Sequence, residues 1–453
     1  MHFDLLIKNG ILVHPEFGLS RAEIGVKRGK IEAIIADGSD VTATETFDAT
    51  GKHIFPGVVD PHVHIGLANG LADWETETRS AAIGGVTTIL TYLMAGRSYL
   101  PIIKENLDAA AQQSVVDYGL HIVPSSTIHL DEMDQYAEQY GIRSFKYFTS
   151  YRGDEGAHLG IKGTDDGFMY RYFTQIARLR RGVANVHPEN IEVVWELRKH
   201  LQASGRDDLK AWNESRPDFV EAQSAVAAAL YANVTGCPLY IVHISGRTVL
   251  DELKAARERY TRIPIYIETC PHFLTHNSDM EIGTMGKVNP PLRAASDEES
   301  LWQGLKDGSV DTVGSDHVAR KKAKKLGSIW TCSAGFPGSG TILTTLISEG
   351  YHKRGLSLQR IAQVTAANPA KIFHRYPQKG TIAVGSDADF AVVDLNLKRI
   401  LSAEYMQSHS DYSLVEGWEL KGWPVATILG GKRVIEQGRV VGKHGMGRYL
   451  PLD

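Results

Sequence analysis

Ile54-Phe55-Pro56-Gly57-Val58-Val59-Asp60-Pro61-His62-Val63-His64 is the stretch on which the fold turns. Its apolar half, Phe55 to Val59, reads as a buried strand. His62 and His64 stand at i and i+2 on the extended segment that follows, so their side chains share one face. Two imidazoles on one side at a strand's end are the start of a metal site. The question for the rest of the chain is where the remaining ligands come from.

Beyond this point the chain alternates apolar strands with amphipathic helices. The expected strands are Phe55–Val59, Thr87–Leu93, Gly119–Val123, Ser144–Phe148, Gly182–Val186, Leu239–His243, Ile263–Glu268 and Asp311–Gly314. Helices are expected between them, among them Ile102–Asp117, Glu189–Ala203, Phe219–Asn233 and Arg247–Tyr260. Eight strand–helix repeats over about 300 residues argue for an α/β fold of the (β/α)8 TIM barrel type. An open doubly wound sheet is the competing arrangement. It would carry a glycine-rich phosphate loop after its first strand, where this chain has Asp60-Pro61-His62-Val63-His64. Both ends of the chain have a different texture: short strands and tight turns, such as Val26-Lys27-Arg28-Gly29-Lys30-Ile31. The division expected is 1–53 and 377–453 as one small β-sandwich domain with a C-terminal tail, around a barrel over 54–376. Two unrelated β extensions are the alternative.

In a barrel of this kind the chemistry sits where the strands end. The expected first strand leads into His62 and His64, and the fourth holds Lys146 within Phe145-Lys146-Tyr147-Phe148. The fifth leads into His187, the sixth into His243, and the eighth into Asp316. A lone histidine at such a position is usually a hydrogen-bonded core residue, the reading given to His53, His121, His272 and His317. The concurrence of the others is hard to ascribe to chance. Lys146 is costly to bury as an ammonium. Burial lowers its pKa, and the neutral amine can take up carbon dioxide as a carbamate whose two oxygens can bridge two metal ions.

This set, His62-Val63-His64, Lys146, His187, His243 and Asp316, resembles the binuclear metal-dependent amidohydrolase superfamily. Further segments resemble its dihydropyrimidinase, hydantoinase and allantoinase branch: Val186-His187-Pro188-Glu189-Asn190, Glu268-Thr269-Cys270-Pro271-His272, Asn289-Pro290-Pro291-Leu292-Arg293 and Gly314-Ser315-Asp316-His317. The resemblance covers nearly the whole chain. It implies that His62, His64 and Asp316 hold one divalent ion with N6-carboxylated Lys146, and that His187 and His243 hold the second, a hydroxide bridging the two. Nitrogen and carboxylate donors suit zinc, with manganese, iron or cobalt as substitutes. Attack of the bridging hydroxide would open the amide bond of a cyclic ureide or imide, as in a hydantoinase or dihydropyrimidinase. Asp316 would shuttle the proton and Tyr151 would donate to the oxyanion. Asn289, where many members of the branch carry serine, would grip the ring through its backbone, and the glycine-rich loop with Gly335 and Phe336 would close the pocket, Phe336 packing on an apolar or aryl substituent. The polar stretch Asp154–Gly163 reads as a lid. Cys270 reads as packing. Allantoin is the alternative substrate, and a non-catalytic scaffold the alternative of a different class, disfavoured because all six ligand positions are filled.

Composition narrows the partners. The chain has 453 residues, 43% apolar and 23% charged, with a net charge of -4. Such a chain has no global attraction to nucleic acid or to an anionic membrane. The run Arg320-Lys321-Lys322-Ala323-Lys324-Lys325 reads as a solvated loop, and no arginine stands out to hold a substrate carboxylate. Three cysteines, widely spaced, exclude a disulfide framework and fit a cytoplasmic protein. No signal peptide and no membrane span are expected. The expected partner is a small cyclic amide, and the expected assembly a homotetramer or homodimer.

Overall fold

A computed structural model describes residues 1–157 and 163–452. Eight parallel strands follow one another in chain order: β1 (Val58–Val63), β2 (Val86–Leu93), β3 (Asp117–Ile122), β4 (Ser144–Phe148), β5 (Val183–His187), β6 (Leu239–Ile241), β7 (Ile265–Thr269) and β8 (Thr312–Val313). Each hydrogen-bonds to its sequence neighbour. Beyond β8, a bridge from His317 to Val63 brings the chain back to β1 and nearly closes the barrel. Helices connect the strands, as the expected (β/α)8 architecture requires. Ile191–Ala203 starts at Asn190, whose side chain accepts from the Glu192 and Val193 amides. Asp218–Thr235 stops at Gly236.

Pleating sorts the strand residues. Within β4, Phe145 packs outward into the helical layer, and Tyr147 lies 5.6 Å from the Tyr172 ring. Ser144, Lys146 and Phe148 take the opposite face. Register pairs Lys146 with Asn185 and Phe148 with His187, so β5 presents Asn185 and His187 to the same interior.

One expected strand is corrected. Ile54-Phe55-Pro56 does not start the barrel: the strand His53–Pro56 pairs with Ile11–His14 and with Phe390–Val393 in a separate seven-stranded sheet. The chain changes sheets at Gly57, where a side-chain Cβ would lie 2.1 Å from Thr87 Oγ1. That sheet and a four-stranded sheet from residues 2–48 share an apolar core of Leu5, Ile24, Leu12, Ile54, Phe390 and Ile428, which forms the β-sandwich. The C-terminal tail then runs along the start of β3, with Leu450 donating to the Tyr118 carbonyl.

Candidate metal centre

His62 and His64 stand at the end of β1 and Asp316 just past β8, and their ligand atoms lie within 4.8 Å of one another. Asp316 Oδ1 is 3.0 Å from His62 Nε2 and 3.1 Å from His64 Nε2. Lys146 Nζ lies 2.7 Å from His62 Nε2. His243, from the end of β6, stacks 5.3 Å from the His62 ring and meets the His187 ring edge-on at 4.5 Å. The structure thus brings all six sequence-predicted ligands together in the barrel mouth. His243 and Asp316 have φ of 41° and 50°. Such left-handed backbone at non-glycine residues is strained, and it concentrates at functional sites.

Lys146 is fully buried, its ammonium 4.5 Å from the centres of both the Tyr92 and Phe148 rings. Burial lowers its pKa to about 8 against the opposing pull of Asp316 and Glu268. The amine is therefore much closer to neutral at cellular pH than an ordinary lysine.

The histidines are held from behind, and here the sequence reading missed residues. Glu268 Oε1 accepts from His62 Nδ1 at 2.7 Å, which turns Nε2 towards the mouth. The same oxygen accepts from the His243 amide at 2.9 Å. Gly314 makes room for this carboxylate, since a Cβ there would lie 2.3 Å from Glu268 Oε2. Glu189 Oε2 lies 2.7 Å from His187 Nε2 and pairs with buried Arg216 at 3.1 Å. Burial would raise the Glu189 carboxyl, but Arg216 and His187 hold it down at about 2. Both glutamates sit inside the family-like segments, yet no spacing rule marks them as supports.

These donors fit a divalent-metal pair. His62 Nε2, His64 Nε2 and the Asp316 carboxylate converge on one point, the donor set of a divalent-metal site. The Nδ1 atoms of His64, His187 and His243 are buried with no hydrogen-bond partner. Supporting carboxylates behind the imidazoles are the usual outer shell of such a site. A second acidic group, Asp117, Asp387 and Asp389, is already paired with Lys379 at 2.5, 2.9 and 2.5 Å, so its charge is met from within the chain.

The mouth opens into a cavity of about 480 Å³. Tyr151, Asn289 and Gly335 line it. Tyr151 lies flat against Phe148, with ring centres 4.2 Å apart, and the buried Asn289 Oδ1 has no partner. Phe336 does not line the cavity. Gly335, at φ 93°, turns the chain so that Phe336 is buried against His272, with ring centres 5.2 Å apart. The expectation that Phe336 packs on a substituent is corrected accordingly; the aromatic wall comes from Trp212 and Trp330. Of the expected lid, Asp154–Ala157 forms one helical turn, while residues 158–162 lie outside the described residues. His317 proves structural: Nδ1 accepts from the Gly338 amide and Nε2 donates to Glu77 at 2.8 Å.

The chain is similar to known proteins along nearly its whole length. Residues 240–434 match the model of the amidohydrolase family. The chain is 35% identical to an L-hydantoinase of Paenarthrobacter aurescens, over 99% of this chain and 98% of that protein. It is 33% identical to a D-phenylhydantoinase of Escherichia coli, over 98% of this chain and 97% of that protein. The solved structure of an L-hydantoinase (dihydropyrimidinase) from Arthrobacter aurescens matches with a TM-score of 0.91 at 33% identity, covering 99% of this chain and 100% of that one.

Proposed function

We propose a reaction for a chain that belongs to the amidohydrolase family, in its hydantoinase and dihydropyrimidinase branch. It is a hydrolase that opens a C–N bond in a cyclic amide, a hydantoin or dihydropyrimidine ring. The observation that carries this reading is Lys146, buried among four histidines and an aspartate at the floor of the cavity.

His62, His64, Asp316 and carboxylated Lys146 would hold one divalent ion, and His187, His243 and the same carbamate the other; the donor set favours zinc over manganese, iron or cobalt. Bound there, such ions supply hydroxide at neutral pH and polarise a carbonyl. The chain's own groups do the rest. Asp316, 3.0 and 3.1 Å from His62 and His64, takes up the proton released on attack and delivers it to the leaving nitrogen. Burial pushes the Tyr151 hydroxyl well above the ordinary phenol value, so it keeps the proton it donates to the oxyanion. The unpartnered Asn289 carbonyl is supplied to accept from a ring N–H.

Allantoin gains no support from the similar proteins, which are hydantoinases. The filled ligand set speaks against a non-catalytic scaffold. Three buried free cysteines support a cytoplasmic setting. Among the described residues no helix is long and apolar enough to cross a membrane. A homotetramer or homodimer is supported by exposed Phe219, Leu230 and Val234 on one face of Asp218–Thr235. The test is ring opening by zinc- and manganese-loaded enzyme on hydantoin, dihydrouracil and allantoin. Opening of hydantoin or dihydrouracil is expected; opening of allantoin alone would overturn the substrate reading.

A further inference from the structure

The run Arg320 to Lys325 does not behave as a solvated loop at its two ends. Lys325 is fully buried and donates to the carbonyls of Lys287 and Gly335 at 2.7 and 3.2 Å, so it pins the cavity wall. Arg320 lines the cavity itself, in the same lining as Asp316 and Tyr151. Its Nη1 reaches the Leu67 carbonyl at 3.3 Å, and its buried Nε has no partner. Among the described residues no carboxylate forms an ion pair with it.

A guanidinium offers five donors in a fixed fork that matches a carboxylate. Arg320 is half-buried, and even partial burial of a guanidinium without a counter-ion is costly, so its partner is to be sought in what the cavity binds. A second cation points the same way. Lys287 also lines the cavity, nearly buried, with its ammonium donating to the Cys332 carbonyl at 2.7 Å. The lining carboxylates are already engaged: Glu155 by Arg198 and, at 3.3 Å, by Arg216, and Asp316 by the histidines. Trp212 is poorly free to stack on an aryl group, because Lys287 and Arg216 already lie 4.2 and 4.5 Å from its ring centre.

We infer that the ring substituent of the substrate carries a carboxylate, gripped by Arg320 in bidentate fashion with Lys287 adding positive charge. This rests on the cyclic-amide reading above and names the substrate class within it. A charge-assisted pair of this kind discriminates by roughly 10- to 100-fold.

The experiment compares two hydantoins of equal shape, one bearing a carboxyethyl and one a carbamoylethyl group, with unsubstituted hydantoin as reference. kcat/KM is measured on zinc-loaded wild type, Arg320→Gln and Arg320→Lys, and calorimetry records binding of the same pair. Wild type should favour the carboxylate roughly 10- to 100-fold. Arg320→Gln should bring the ratio close to one, and Arg320→Lys should keep part of it. Equal use of the two compounds by wild type, with unsubstituted hydantoin opened, overturns the inference and leaves the cyclic-amide reading standing. If no ring is opened, the cyclic-amide reading fails, and calorimetry still decides the preference for the anion: equal binding overturns it. Should Arg320→Gln fail to fold, the wild-type and Arg320→Lys ratios decide.

Discussion

Replacing Glu268 separates the charge behind the histidines from their placement. Its carboxylate is fully buried and accepts three hydrogen bonds, from His62 Nδ1 at 2.7 Å, from the His243 amide at 2.9 Å and from the Tyr240 hydroxyl at 2.7 Å. In Glu268→Gln the amide oxygen can keep the first two. The amide nitrogen then faces Tyr240, whose hydroxyl can turn to Thr312 Oγ1 at 2.7 Å. Shape survives and only the charge is lost. Losing an outer-shell partner of this kind lowers metal affinity by about 10- to 100-fold, or about 1.4–2.7 kcal/mol. Glu268→Ala strands the His62 and His243 donors in the interior at about 1–3 kcal/mol each, so about 2–6 kcal/mol of stability goes as well. Zinc affinity by competition with a chromophoric chelator, and urea unfolding of the metal-free protein, measure the two effects. Glu268→Gln should lose affinity with near-normal stability, and Glu268→Ala should lose both. Wild-type zinc affinity in both variants would refute the reasoning.

Lys146→Ala should lose metal and activity together and regain part of both with added short carboxylic acids; metal analysis with and without propionate checks this. Asp316→Asn should cut kcat by several orders of magnitude while most of the metal stays, and a near-normal kcat would remove Asp316 from proton transfer. Lys379→Met should destabilise the fold by about 3–5 kcal/mol in denaturant unfolding, because Asp117, Asp387 and Asp389 lose the cation they share. Burial would raise the Asp387 carboxyl, yet Lys379, Lys30 and Arg448 hold it down from 3.8 to about 2. Its contribution is therefore present above pH 3.8 and is lost as pH falls towards 2, and unfolding followed across that range should show the loss in wild type more than in Lys379→Met.

The candidate metal ligands are legible in the sequence because a barrel turns sequence position into spatial position. A histidine or aspartate just past a strand must stand at the mouth, whichever strand it follows, so His62, His64, His187, His243 and Asp316 could be collected without a structure. Lys146 announced itself by its flanks, since Phe145, Tyr147 and Phe148 leave an amine nowhere to reach water. What was hidden depends on loop paths and long-range pairing. Arg320 belongs to a basic run that looks solvated, and only the fold carries its head to the cavity. Phe336 was misplaced because the turn at Gly335 decides which neighbour faces inward. The first strand was set too early because the apolar run continues through Gly57 while the sheet it serves changes there. Glu189 and Glu268 look like ordinary strand-end acids until their histidine partners are seen.

The most direct test of the account titrates zinc into metal-stripped enzyme while hydantoin opening is recorded. The account predicts no turnover without metal and a rise that stops at two equivalents per chain. Full turnover in the stripped enzyme, or saturation at a single equivalent with Lys146 unmodified by mass spectrometry, would contradict it.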